Sequence, residues 1–327
     1  MHIPVLLEPV VTLWASLDKN RTVKEGIYVD ATFGKGGHSQ RLLNLSEKAK
    51  GVILVGLDWD SAQIEDSKIN FQKRIEEKRL FLFQDNFKNI EKVVSSFQKK
   101  QKKNIPVRGV LLDLGLCTDH LKSGRGFSFQ AENDPLDMRF DTKEDSLTAV
   151  EILNSWPKNK LEEIFKEKGE ERYWRKVAKS IILERRKGKY FKKVADLLEV
   201  LEKILKYPYR KQKIHYATRV FQALRMAVNE EEGNIRQGLE DSLRVLSKGG
   251  RIVAISFHSG EDRIVKNFFR QESKDCLCQP NLPECICNHQ KSLQIITRKP
   301  VAPSPNEITL NPNARSAKLR AAEKISL

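Results

Sequence analysis

The chain has 327 residues, of which 39% are hydrophobic and 31% charged, with a formal net charge of +16. This excludes a disordered chain and a disulfide-stapled miniature domain, and leaves room for a full core and two domains. No apolar run reaches a membrane span and no basic segment opens a signal-like stretch at the N-terminus, so the expected location is the cytoplasm, with no membrane partner.

In chain order, the first element is a buried strand, Gly26-Ile27-Tyr28-Val29, ending on Asp30. It breaks into a turn containing Gly34, Gly36 and Gly37, and Ser39-Gln40-Arg41-Leu42-Leu43 opens a helix. Glycines there permit positive φ and a close approach to a ligand. A second strand over 52–58 ends on Asp58. A carboxylate at that place in a doubly wound α/β sheet can accept from both hydroxyls of a ribose. The spacing is neither the dinucleotide G-x-G-x-x-G nor a P-loop, and Asp30 beside the turn would repel a pyrophosphate. S-adenosylmethionine, a cationic nucleoside without phosphate, fits better. The alternative is a tight strand–helix turn in which Asp58 caps the next helix.

A third strand over 80–83 runs into Gln84-Asp85-Asn86-Phe87, and a fourth spans 107–113. Phe87 suits either an adenine face or the core, and Asp85 or Asn86 suits the adenine amino group. After a turn-rich stretch over 124–139, helical patterns cover 147–153, 161–165, 171–186, 194–205 and 216–229. A fifth strand follows at 250–257, with late strands at 292–298 and 316–323. Strands alternating with helices predict an α/β fold with a mostly parallel sheet, and the gap between strands four and five predicts an inserted helical domain. The expected boundaries are 1–125 and 217–327 for the sheet domain and 126–216 for the insertion.

From Arg172 to Arg225 there are 17 basic and 4 acidic residues. So concentrated a surplus is the footprint of a polyanion such as nucleic acid, with Arg185, Arg186 and Lys187 as expected phosphate contacts. Four of the five cysteines cluster as Cys276-Leu277-Cys278 and Cys285-Ile286-Cys287. Their spacing is not that of a zinc ribbon, and a zinc site and a metal-free loop both stay open. Cys117, alone after the fourth strand, reads as a plain small residue ahead of a nucleophile.

Ligands in open α/β sheets sit beyond the carboxyl ends of the strands, where this chain places Asp30, Asp58, Asp85 to Phe87, Asp113 and Phe257-His258. Asp113 could hold a proton of an exocyclic base amine and raise the nitrogen's nucleophilicity as a methyl group arrives, or it could simply cap a helix. His258 reads as a hydrogen-bonding group near substrate or a structural one, since no G-x-S-x-G elbow accompanies it.

Together these segments resemble the bacterial 16S ribosomal RNA cytosine-N4 methyltransferase family, nearly end to end. The resemblance rests on His2-Ile3-Pro4-Val5-Leu6-Leu7, Asp30-Ala31-Thr32-Phe33-Gly34-Lys35-Gly36-Gly37-His38-Ser39, Gly126-Phe127-Ser128-Phe129, Pro135-Leu136-Asp137-Met138-Arg139 and Gly169-Glu170-Glu171-Arg172. It continues through Thr218-Arg219-Val220-Phe221-Gln222-Ala223-Leu224-Arg225, Val228-Asn229-Glu230, Ser256-Phe257-His258-Ser259 with Glu261-Asp262-Arg263, and Asn313-Ala314-Arg315-Ser316-Ala317-Lys318-Leu319-Arg320. It implies a class I S-adenosylmethionine-dependent methyltransferase, Rossmann-like, with an inserted α-helical domain. It implies methylation of N4 of a decoding-centre cytidine, cytosine 1402 of 16S rRNA, in the small ribosomal subunit. Carried over by motif, the cofactor contacts are Gly36, Gly37, His38, Asp58, Phe87, Asp113 and His120, and the catalytic candidates Asp113, Asn229 and His258, with no catalytic metal. Two departures stand out. Cys117-Thr118-Asp119-His120 replaces the family's Ser-Ser-Pro-Gln, and Gly260 replaces a leucine. Asp113-Leu114-Gly115-Leu116 lacks the Pro-Pro segment usual in amino-methylating DNA enzymes, so DNA is not the expected substrate. A non-catalytic RNA-binding assembly factor on the same fold is the competing class. The oligomeric state stays open, a homodimer included.

Overall fold

The computed structural model describes residues 3–17, 22–49, 51–115, 118–142, 146–212, 214–279 and 284–326. Cys117 and His2 lie outside them. In chain order the named elements are α1 (Leu7–Trp14), β1 (Gly26–Asp30), α2 (Gly37–Leu45), β2 (Val52–Asp58), α3 (Ser61–Asn70), β3 (Leu80–Gln84), α4 (Ile90–Gln101) and β4 (Val107–Leu114). Then come α5 (Ala149–Ser155), α6 (Lys158–Glu163), α7 (Trp174–Arg186), α8 (Val194–Tyr209), α9 (Thr218–Val228) and α10 (Glu231–Val245). The chain closes with β5 (Arg251–Ser256), α11 (Ser259–Glu272), β6 (Leu293–Ile295) and β7 (Lys318–Lys324). No helix is long and apolar enough to cross a membrane among the described residues.

Two compact units result: 1–115 with 232–327, and 116–231. The sequence reading set the insertion at 126–216. The structure starts the unit ten residues earlier, at 116, and moves its far end to 231 because α9 gives its apolar face, including Val220, Phe221 and Leu224, to the helical core. Charge and strand spacing carry no sign of where a helix buries its stripe.

The first unit holds a seven-stranded sheet of order β3-β2-β1-β4-β5-β7-β6. β1 to β5 run parallel, and β7 is antiparallel to both β5 and β6. This is a mostly parallel, Rossmann-like sheet, as the resemblance implies. The order reverses between β1 and β4, the switch point beside which such sheets bind ligands. Every residue of β1 is buried, as expected of a central parallel strand covered on both faces. Alternate residues serve opposite faces. Ile27, Val29, Val110 and Leu112 pack with α4, α10 and α11, while Tyr28 and Leu111 pack with α1 and α2. The sequence reading had no helix at α10. Gly233 and Gly238 interrupt its apolar spacing, and Gly238 has a tertiary reason. A Cβ there would meet the Phe87 ring at 2.8 Å.

Two of the resemblance motifs are joined by an ion pair within this unit. Arg320 of β7 donates from Nε to Asp262 Oδ1 of α11 at 2.6 Å and from Nη2 to Oδ2 at 3.2 Å. Both side chains are buried. Lys318 Nζ also lies 3.4 Å from Asp262 Oδ2, so Arg320→Met leaves that carboxylate one partly exposed cationic partner and should cost about 1–3 kcal/mol in urea unfolding. A loss below about 1 kcal/mol would show that the pair does not hold α11 to the sheet.

The second unit is helical. A π-helical turn, Ile164–Lys168, continues α6. Gly169 then lets the turn lie against α9, where a Cβ would meet the Arg219 carbonyl at 2.6 Å. Buried Glu171 accepts from the Tyr209 hydroxyl at 2.8 Å and from the Tyr173 amide at 2.8 Å. The Gly169-Glu170-Glu171-Arg172 segment is therefore architectural.

Candidate active site

The carboxyl ends of β1, β2, β3 and β4 are tied into one hydrogen-bonded crevice in the first unit. Gly36 takes φ +67° as the residue before α2, and a Cβ there would meet Phe33 and Phe71 at 2.6 Å. At Gly37 a Cβ would meet Pro4 Cγ at 2.3 Å. The turn is thus tight for packing reasons, which brings backbone rather than side chains to the crevice.

Asp58 closes this turn. Its Oδ2 accepts from the Gly34 amide at 2.7 Å and its Oδ1 from the Asp60 amide at 2.9 Å. The helix-cap alternative for Asp58 falls to its neighbour: Asp60 caps α3, accepting from the Ala62 amide at 2.9 Å. A carboxylate offers about four acceptor positions, so backbone bonding is compatible with ribose binding.

His38 is buried, and its Nε2 lies 2.9 Å from the Val5 carbonyl. Nε2 must donate there, which leaves Nδ1 as the acceptor of the neutral ring. Burial lowers the pKa of His38, against the Val5 hydrogen bond and the charge of Asp30. Nδ1 stands 3.9 Å from Asp113 Oδ2. Asp30 lies behind, accepting from Ser39 Oγ at 2.5 Å. Burial pushes its carboxyl up, while Ser39 and His38 oppose the rise.

Asp113 ends β4, and its amide donates to Thr32 Oγ1 at 2.7 Å. It caps no helix among the described residues. Its side chain is 26% exposed, yet Oδ1 is shielded and has no hydrogen-bond partner. Burial pushes its carboxyl up to about 7, with the charge of Glu261 adding to the rise. An acid that titrates near neutrality in a crevice, with an unmet acceptor, is a functional candidate on physical grounds.

At the end of β3, Asp85 accepts from the Asn86 amide at 2.8 Å and from Asn89 Nδ2 at 2.7 Å. Asn86 Oδ1 takes the Lys88 amide at 3.0 Å, and its buried Nδ2 has no partner. The sequence reading offered either residue as an acceptor for an amino group. Both bonds to Asp85 fall on Oδ1, which leaves Oδ2 as an acceptor, whereas the unmet group of Asn86 is a donor. Phe87 packs on the core while staying partly exposed, which leaves the adenine-face reading open.

His258 is the N-cap of α11. Its Nδ1 accepts from the Glu261 amide at 3.4 Å, and Glu261 Oε2 accepts in return from the His258 amide at 3.3 Å and also from the Phe257 amide at 2.7 Å. This reciprocal box is legible as His258 followed three residues later by Glu261, although histidine is an unusual cap. The sequence reading quoted Glu261 within a motif but gave it no role at the site, whereas its charge bears on Asp113.

Two further candidates belong to the second unit. Asn229 is buried at the end of α9, where Oδ1 accepts from the Phe140 amide at 2.9 Å and Nδ2 donates to the Met138 carbonyl at 2.8 Å. Its amide holds the 138–140 segment. His120 is buried, with its ring 5.5 Å from Phe127 and 4.9 Å from Phe140.

The basic face of this unit differs from expectation. Arg185 donates to the Leu153 carbonyl, to the Trp156 carbonyl at 2.7 Å and to the Ile152 carbonyl at 3.3 Å. It closes the carboxyl end of α5, and burial lowers its pKa. Lys187 pairs with Glu184 at 2.8 Å. Of the expected trio, Arg186 alone matches a solvent-facing cation with no described ion pair. It shares an exposed stripe of α7 with Arg175 and Lys179, at spacings of four and seven residues. Arg175 stacks on Trp174, 4.0 Å from the ring centre.

Comparison with known proteins completes the picture. The model of the MraW methylase family matches residues 1–325. Ribosomal RNA small subunit methyltransferase H of Halothermothrix orenii is 40% identical over 325 residues, covering 99% of this chain and 98% of its own. The protein of the same name from Carboxydothermus hydrogenoformans is 42% identical over 329 residues, covering 99% and 98%.

Proposed function

From the membership of this chain in the MraW methylase family, we propose that it methylates N4 of a decoding-centre cytidine, cytosine 1402, in 16S rRNA of the small ribosomal subunit. S-adenosylmethionine is the methyl donor. One observation carries the site assignment: the buried, unpartnered Oδ1 of Asp113 at the switch point of the sheet.

Bound S-adenosylmethionine supplies an activated methyl group. Gly36 and Gly37 would bring backbone close to it, and Asp58 would accept from its ribose hydroxyls. Phe87 would offer a ring face, and Asn86 Nδ2 a donor for an adenine ring nitrogen. His38, fixed by Val5, would line the cofactor's side of the crevice beside Asp113. Asp113 accepts a proton of the target amine, which aims the nitrogen lone pair at the methyl group. Alignment of two reactants contributes much of the acceleration. His258 and Asn229 are positioning residues, one through Glu261 and the other through the 138–140 segment. A cofactor contact at His120 stays an implication of the resemblance.

The test is mass spectrometry of small-subunit rRNA from cells with and without this protein. The expected result is one cytosine lacking one methyl group, restored by the purified protein with S-adenosylmethionine. Identical rRNA in both strains would favour the non-catalytic assembly factor.

The insertion is the proposed RNA platform. Replacing Arg175, Lys179 and Arg186 together by glutamine should weaken subunit binding and flatten its salt dependence by about one unit of slope per lost phosphate contact. Cofactor affinity should not move. Arg185 is left intact, because its loss would expose the carbonyls of α5. Wild-type binding at every salt concentration would remove α7 from the RNA face.

A further inference from the structure

We propose that Cys276, Cys278, Cys285 and Cys287 bind one zinc ion that orders the segment between α11 and β6. This site lies apart from the crevice and plays no part in methyl transfer.

The four sulfurs lie within 4.8 Å of one another. Cys285 Sγ is 3.5 Å from Cys276, 3.6 Å from Cys287 and 3.9 Å from Cys278, and Cys276 is 3.7 Å from Cys287. A tetrahedron of thiolates about zinc, with Zn–S bonds of about 2.3 Å, has edges of about 3.8 Å. Four of the six sulfur–sulfur distances therefore already match one tetrahedral ion, and the other two are within 4.8 Å. In two disulfides each sulfur would have a single close partner at about 2.05 Å. Here Cys285 is nearly equidistant from three. The enclosed space takes one ion and no larger cluster.

The backbone supports the same reading. The amides of Leu277, Cys278 and Ile286 each point at a cysteine sulfur, at 3.3 Å in all three cases. Such donors stabilise thiolate over thiol. The described residues of 273–292 include none that is buried, and Leu277 and Ile286 are exposed. Burial of apolar surface cannot order this segment. Its base is tied, with the Ser292 amide donating to the Glu272 carbonyl at 2.9 Å and His289 Nε2 to the Gln271 carbonyl at 3.2 Å. A metal at the tip would supply the remaining order, as in small domains whose folding energy is metal-binding energy.

Binding forms four Zn–S bonds and releases four thiol protons to solvent, with nothing oxidised or reduced. Four protein sulfurs leave no open coordination position, the mark of a structural site. α11, at 14 residues, separates it from the crevice by about 20 Å.

The test uses the full chain, purified under reducing conditions without chelator and passed through gel filtration. Elemental analysis should find about one zinc per chain. Bound zinc should shield four of the five cysteines from alkylation. Chelation should expose them and open the 273–292 segment to protease. Cobalt added to the metal-free protein should give the intense visible bands of a tetrahedral four-thiolate site. Cys278→Ser with Cys285→Ser should abolish zinc retention while S-adenosylmethionine affinity persists, which shows that the sheet still folds. Zinc that fails to stay bound to the reduced wild-type protein would overturn the proposal. So would iron in its place, disulfides in freshly quenched protein, or equal zinc retention by the double variant.

Discussion

Asp58→Ala should weaken S-adenosylmethionine binding by about 10²–10⁴-fold in calorimetry. Its carboxylate would lose two ribose hydrogen bonds, each charge-assisted and worth roughly 1.5–3 kcal/mol. The structure adds a second consequence. Asp58 also accepts the amides of Gly34 and Asp60, so alanine leaves both without their acceptor and loosens the glycine turn. The melting temperature should therefore fall as well. Asp58→Asn separates the effects, since it keeps one acceptor oxygen and should lose less affinity and less stability. If Asp58→Ala melts early but binds the cofactor normally, the carboxylate serves the turn alone.

Asp113→Asn should lower the methylation rate at saturating cofactor and RNA by about 10²–10⁴-fold, the range for losing a positioned acid or base. Affinity for either substrate should change far less. Asparagine leaves no cavity and keeps one acceptor, so a near-normal rate would take the proton-accepting role away from Asp113. The pH dependence is a separate check. The Asp113 carboxyl is raised from 3.8 to about 7 in the folded protein, mainly by burial. Its contribution to stability is thus fully present below pH 3.8 and lost as pH rises through about 7. Thermal melts should show the wild type losing ground to Asp113→Asn across that interval. The wild-type methylation rate should climb through about pH 7, where the accepting carboxylate forms, while the variant stays flat. Parallel pH profiles for both proteins would mean that another group titrates.

The same reasoning separates the motif residues by task. Asp262 and Arg320 clamp α11 to β7, Glu171 holds Tyr209, and Asn229 holds the 138–140 segment. Arg185 follows the same pattern on the carbonyls of α5. Reading these as substrate contacts because they are polar or basic confuses a buried hydrogen-bond requirement with a binding surface. A polar group buried without a partner is costly, so polar residues within a fold are often there to satisfy the backbone.

The sequence by itself determined the sheet, the glycine turn and the order of the acids at the strand ends. Each is a local property: period-two or continuous apolar runs, glycines where φ turns positive, and a carboxylate at the end of β1, β2 and β4. Strand ends were legible to within a few residues for the same reason. The tertiary structure alone decided which polar groups are engaged. Whether Asn86 offers a donor or an acceptor depends on Lys88 and its own burial, and whether Arg185 faces water depends on α5, some thirty residues earlier. The far boundary of the insertion and the helix α10 were likewise hidden, because each depends on which apolar stripe finds a partner. The four cysteines show the division most plainly. Their spacing left metal and loop equally open, and the placement of four sulfurs at tetrahedral distances followed only once the chain had folded back between α11 and β6.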